Sequence, residues 1–234
     1  MSYNPKISIL IPSTKEKIYD IVDHIESIST CSYEIIVCTP LDINFKQSNV
    51  KVIQDDEDNI GSISPINRCF KEAQCDYFFV TCDDILIHKN CFNIEEFTKS
   101  NLSSNKYKIC SIGYKDAHGA TVPTFGGYER INNVRILSFP AGSTQSVYDH
   151  LDGVIFNGSF KHIYADNWLS YYINYHGKKP VFMPNTENDL SQDIRDPRSA
   201  SVRSYDEKIF KEVMNVFDSN KDIEYNYKEK ITHE

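Results

Sequence analysis

The sequence predicts an α/β protein with a mostly parallel sheet and helices on both faces. Three observations lead there. Short apolar runs such as "ISILIP", "YEIIVC" and "YFFVTC" lack polar alternation, as strands buried on both faces do. Between them lie stretches with apolar residues three and four apart, the mark of helices laid on a sheet. The order strand, helix, strand, strand, helix, strand over the first half is that of a doubly wound sheet.

Taken in order, "KISILIP" is a first strand stopped by Pro12. Ser13 and Glu16 are spaced as a capping box for a helix carrying Ile18, Ile21, Val22, Ile25 and Ile28 on one stripe. "YEIIVC" and "VKVI" are the next strands. "SPINRCFKEA" then predicts a helix capped by Ser64 with Pro65 at its first position. The strand "YFFVTC" runs into two adjacent carboxylates, Asp83 and Asp84. Side by side they repel, so they require a cation, hydrogen-bond donors or open water. In parallel sheets ligands bind beyond the carboxyl ends of the strands, where these two acids stand.

The second half predicts strands at "KYKICSIGY" and "VRILSF", joined by the polar and aromatic loop "KDAHGATVPTFGGYERINN", suited to a substrate wall. A helix follows in "ADNWLSYYINYHG", with Trp168, Leu169, Tyr172 and Ile173 on one face and Gly177 as a left-handed stop. "PVFMP" is a last strand. Residues 185–202 lack apolar periodicity and are expected to form a mobile lid. Ser204 and Glu207 cap a final helix with Ile209, Phe210, Val213 and Met214, and the charged tail from Asp218 is expected to fray.

Composition sets the context. With 234 residues, 40% hydrophobic and 25% charged, the chain can bury a substantial core. No apolar run approaches the roughly 20 residues that span a bilayer. The seven cysteines include no CxxC pair and several sit within apolar runs, which reads as reduced thiols in a cytoplasmic protein. A net charge of -8 disfavours nucleic acid as a partner.

The segments "ISILIP", "YEIIVC", "NIGSISPINRCFKEAQCDYFFVTCDD" and "FNGSFKHIYADNWLSYYINYHGKKP" resemble, in order and motif, the nucleotide-sugar-dependent glycosyltransferases of GT-A fold, within them the inverting family 2 group. The resemblance implies a glycosyltransferase domain over 1–203, with a nucleotide-binding half at about 1–90 and an acceptor half at about 91–203. Residues 204–234 form an added helix and tail. It implies a nucleoside-diphosphate sugar donor and a divalent cation, Mn2+ or Mg2+, held by Asp84. Asp83 faces the ribose and Asp166 is the catalytic base. Pro12, Thr39, Asp56, Asn67 and Arg68 fall at further donor-binding positions. The family's acidic stretch after the second strand is replaced by "CTPLD", so Thr39, Asp42, Asp55 and Asp56 compete for the nucleobase contact. Glu187, Asp189 and Asp193 are choices for a third metal ligand, and Arg195 or Arg198 for a diphosphate clamp. Phe125, Tyr128, Tyr148 and Trp168 could stack on acceptor sugars.

Chemistry apart from the resemblance agrees, because a leaving nucleoside diphosphate develops charge that a hard cation on oxygen ligands neutralises. Rival classes fare worse. No GxGxxG follows the first strand and no GxxxxGK[ST] occurs, against dinucleotide oxidoreductases and P-loop enzymes. A nucleotidylyltransferase would carry a glycine-rich basic loop where "PSTKEK" stands. A catalytically silent sugar- or protein-binding module of the same fold is the remaining alternative. The acceptor could be a glycan, a lipid-linked sugar, a protein or a modified base.

Overall fold

The computed structural model describes residues 6–56, 61–112, 137–162, 164–176, 181–183, 189–190 and 199–218. Its first half is β1 (Ile7–Pro12), α1 (Ile18–Ile28), β2 (Tyr33–Thr39), β3 (Val50–Gln54), α2 (Ile63–Lys71) and β4 (Tyr77–Val80), as the apolar runs predict. The short β5 (Ile85–Leu86), a 3-10 turn and α3 (Ile94–Asn101) follow. The second half comprises β6 (Ile109–Ile112), β7 (Pro140–Ser143), α4 (Thr144–His150), α5 (Ala165–Tyr175), β8 (Val181–Met183), β9 (Asp189–Leu190) and α6 (Ser199–Asp218).

Seven strands form one sheet in the order β3-β2-β1-β4-β7-β6-β8. β3, β2, β1 and β4 are mutually parallel, β6 and β8 are parallel, and β7 runs against both its neighbours. A second, two-stranded sheet pairs β5 with β9. Each sheet face has its own apolar layer. One gathers Leu10, Ile36, Phe70, Phe78, Trp168, Leu169 and Phe210 under α2, α5 and α6. The other gathers Ile9, Ile35, Phe79, Ile18, Val22 and Ile94 under α1 and α3. Alternate residues of β4, Phe78 and Phe79, enter opposite layers, as period-two geometry demands. Each such fully buried side chain contributes about 1.5–3 kcal/mol.

The structure corrects several expectations. The capping boxes do not form: α1 starts at Ile18 after a turn, because the Ser13 hydroxyl is spent elsewhere. α2 starts at Ile63, which puts Ser64 and Pro65 inside its first turn, where the missing proline N–H costs nothing. Of "VRILSF", Leu137–Phe139 are described and lie ahead of the strand: β7 begins at Pro140, and the Leu137 and Phe139 amides donate to the Ser170 and Ser111 hydroxyls. Residues 134–136 lie outside the described residues. β7 itself reads "PAGS", and its Gly142 has φ 153 and lies so close to β6 that a Cβ would sit 2.1 Å from the Lys108 carbonyl oxygen. Only glycine fits there. α6 begins at Ser199, so Ser204 and Glu207 lie within it and a division at residue 203 would cut a helix. α6 belongs to the core through Phe210. Gly177, the 115–133 loop and the tail beyond Asp218 lie outside the described residues.

All seven cysteines are free, with Cys38, Cys69, Cys75, Cys91 and Cys110 buried, as reduced core thiols should be. No described helix is long and apolar enough to cross a membrane.

Candidate active site

β4 ends at Val80, and Thr81 and Cys82 lead to the paired acids. Asp83 is buried and turned towards β1, where its carboxylate accepts from the Ser13 hydroxyl at 2.8 Å and the Thr14 amide at 3.0 Å. Two donors satisfy a buried charge, which answers how one of the adjacent carboxylates is tolerated. Asp84 faces outward, half-buried, and takes the Cys82 thiol at 2.9 Å. Burial and the two carboxylates push that thiol well above its ordinary value, so Cys82 stays protonated and donating.

β5 follows at once, and its pairing sets Leu86 against Asp189 and Ile85 against Leu190. Of the three acids considered as a further metal ligand, Asp189 is therefore carried to the strand just beyond Asp84. Glu187, Asp193, Arg195 and Arg198 lie outside the described residues, as does most of the 185–202 segment expected to be a lid.

Asp166 stands in the first turn of α5, after Tyr164, whose φ of 64 swings the chain into the helix. Its carboxylate accepts the Asn167 amide at 2.8 Å and the Ser138 hydroxyl. Burial pushes the Asp166 carboxyl above the usual carboxylate range, and the Asn167 amide, Ser138 and the charge of His162 pull it partly back. Ser170, one turn on, donates to the Asp166 carbonyl at 2.6 Å and accepts the Leu137 amide at 2.8 Å, fastening α5 to the start of β7. Because β7 is antiparallel to β4, with Phe79 opposite Ala141, its beginning lies beside the end of β4. Ser138 thereby brings Asp166 to the sheet edge that bears Asp83 and Asp84.

The other expected donor-site residues divide. Pro12 ends β1 opposite Cys38, and the Ser13 amide continues the ladder to the Cys38 carbonyl at 3.0 Å. Thr39 is fully buried, its hydroxyl accepting the Leu41 amide at 3.2 Å and its carbonyl the Asp55 amide at 2.9 Å. Arg68 spans from α2 to the end of β3, donating to the Asp55 carboxylate at 2.7 Å and the Gln54 carbonyl at 2.5 Å. Asp56, next along, is exposed. These residues share the carboxyl edge of β2 and β3. Asn67 does not reach that edge: its amide is buried, donating to the Phe156 carbonyl at 2.8 Å and accepting from the Ile155 and Phe156 amides at 3.1 Å each. Trp168 is buried and stacks on Tyr172 at 5.1 Å, while Tyr148 is exposed. Phe125 and Tyr128 lie outside the described residues.

No protein-family model matches the chain, and no curated protein does. Solved structures do match. Residues 1–349 of Staphylococcus aureus TarS superpose with a TM-score of 0.65 at 15% identity, over 94% of this chain and 67% of that one. The same TarS segment in complex with UDP-GlcNAc gives 0.64 at 15% identity, over 94% and 68%. TarS is a GT-A-type glycosyltransferase. The fold is GT-A. Against a longer TarS chain the TM-score is 0.60, and this protein spans 41% of that chain's length.

Within the GT-A frame, three residues emerged that the sequence did not single out for the site. Ser13, read as a helix cap, holds Asp83. Ser138 holds Asp166. Asp206 is fully buried on α6, and its two carboxylate oxygens accept the Lys161 and His162 amides at 2.8 Å each. The one signal available for Asp206 was an acid on the apolar side of an amphipathic pattern, a place that demands a partner.

Proposed function

We propose that the protein is a glycosyltransferase that moves a sugar from a nucleoside diphosphate to an acceptor hydroxyl, with inversion and with a divalent cation. The observation that supports this reading is the register of β7 against β4, which sets the residues before β7, among them the Ser138 that holds Asp166, beside the end of β4 that leads to Asp83 and Asp84. The three acids are held differently, which suits three roles. Asp83, tied to β1, is rigid and acceptor-only, fit to take hydroxyl donors of a ribose. Asp84 offers a hard oxygen ligand at an open edge.

Among the described residues no three His, Cys, Asp or Glu side chains form a cation cage. That fits a cation shared between one carboxylate and the phosphate oxygens of a donor, as magnesium and manganese commonly are. When bound, it would neutralise the charge of the departing diphosphate. Asp166 takes the acceptor proton. Shielding from water raises its basicity, and the fixed bonds from Asn167 and Ser138 aim it before the acceptor arrives. Asp56, exposed beside the Arg68–Asp55 pair at the carboxyl edge of β3, is available to the nucleobase. TarS has been crystallised with UDP and with UDP-GlcNAc, so uridine donors are the first to test.

The test is a screen of nucleoside-diphosphate sugars for hydrolysis with and without manganese, which needs no acceptor. At least one donor should be consumed faster with the metal. Failure of every donor to bind or react would leave a GT-A-fold binding module instead.

A further inference from the structure

The turn ahead of α5 is fastened from two sides by residues to which the proposed chemistry gives no role. On one side, Asp206 of α6 grips both the Lys161 and His162 amides. A buried carboxylate carries a large desolvation cost unless its oxygens are satisfied, so this position is specified and not incidental. Four residues on, Phe210 of α6 stacks on the ring of Tyr164 at 4.9 Å with the planes 14° apart. On the other side, the Ile63 amide at the start of α2 donates to the Lys161 carbonyl at 3.2 Å, and Ser62 meets the His162 ring at 3.1 Å. Gly61 passes so near that a Cβ there would lie 1.9 Å from the Lys161 oxygen. Asp166 follows His162 by four positions in the sequence and comes just after the left-handed Tyr164.

We infer that Asp206 is a positioning residue for the base: together with Gly61, which abuts the Lys161 carbonyl, it fixes the Lys161–His162 turn and through it the placement of Asp166. The inference rests on the reading of Asp166 as the base. It makes α6, which sequence alone sets outside the catalytic domain, a part of the site's framework. The physical expectation is that loosening the turn leaves donor binding at the β1–β4 edge untouched while misplacing Asp166, and a displacement near 1 Å can cost about 10²-fold in rate.

The test compares Asp206→Asn, which keeps size but turns an NH2 towards one backbone amide, with Gly61→Ala, which pushes on the turn from the far side. Amide hydrogen exchange over residues 158–170 is read first, in the protein without donor. Both variants should exchange faster there and not in β1 or β4. For a donor found by the manganese hydrolysis screen, both should lower kcat by about 10²-fold with KM changed less than about twofold. In an Asp166→Asn background, adding Asp206→Asn should lower the residual rate no further, because one residue acts through the other. Unchanged exchange at the turn, or an equal loss of kcat in both backgrounds, overturns the inference. A wild-type chain inactive on every donor would instead sink the transferase reading, and the exchange measurement would still decide whether Asp206 holds the turn.

Discussion

Two adjacent acids of like chemistry end up in unlike places, Asp83 turned in against β1 and Asp84 half-buried at the edge. Asp83 is held by two fixed donors on β1, whereas the half-buried Asp84 accepts the Cys82 thiol, a weak donor that a cation can outcompete. Asp84→Asn should abolish the manganese-dependent gain in nucleoside-diphosphate affinity and leave the melting curve near wild type. Calorimetric titration with and without the metal reads this, and an undiminished gain would remove Asp84 as the ligand. Asp166→Asn should cut sugar transfer by about 10²- to 10⁴-fold with donor affinity unchanged. The same substitution has a stability signature. A folded-state carboxyl raised by burial binds its proton more tightly than in the unfolded chain, so ionising it costs stability. That cost is absent below the unfolded value and is fully present once the pH has risen through the folded one. Asp166→Asn should therefore melt higher than wild type at neutral pH, and the gap should close as the pH falls below the ordinary aspartate range. A gap independent of pH would show that the carboxyl is not shifted.

Among elements, the clearest lesson is Asn67 on α2, whose buried amide makes three bonds to the Ile155–Phe156 backbone. Asn67→Ala strands two N–H groups and a carbonyl, at about 1–3 kcal/mol for each group left unsatisfied. Urea denaturation should register a loss of several kcal/mol, and a midpoint within error of wild type would contradict the geometry. The sequence placed Asn67 on a helix correctly but could not say which way it faced, because its partners lie on a loop that has no periodicity of its own. The parallel half was legible since doubly buried strands have no polar alternation to confuse the reading. β7 was not, because "PAGS" carries no strand propensity: its conformation is imposed by β4 and β6 on either side. The paired acids were visible from their position at a strand end. Their partners were not, since Ser13 and Asp83 meet only when β1 and β4 lie side by side.

The whole molecule depends on its last described helix. α6 fills one apolar layer with Phe210 and satisfies the turn ahead of α5 with Asp206. A chain ended at residue 198 should expose the surface around Tyr164 and Tyr171, bind a hydrophobic dye more strongly, and melt lower by well over the few degrees that a single surface change produces. Dye binding and a melting curve equal to those of the full chain would mean that α6 is dispensable.

The reversed strand has a further consequence for how the protein is made. As the chain leaves the ribosome, β1, β2, β3 and β4 can assemble in order, since each parallel partner is already synthesised. The outer edge of β4 cannot be covered until Pro140–Ser143 appears, after the whole of α3 and β6. During that interval the nascent protein presents an apolar, unpaired edge bearing Phe78 and Phe79, the kind of surface on which strands of other chains add. Folding yield, more than final stability, should thus be sensitive to the speed of translation through this stretch and to chaperones that shield such edges.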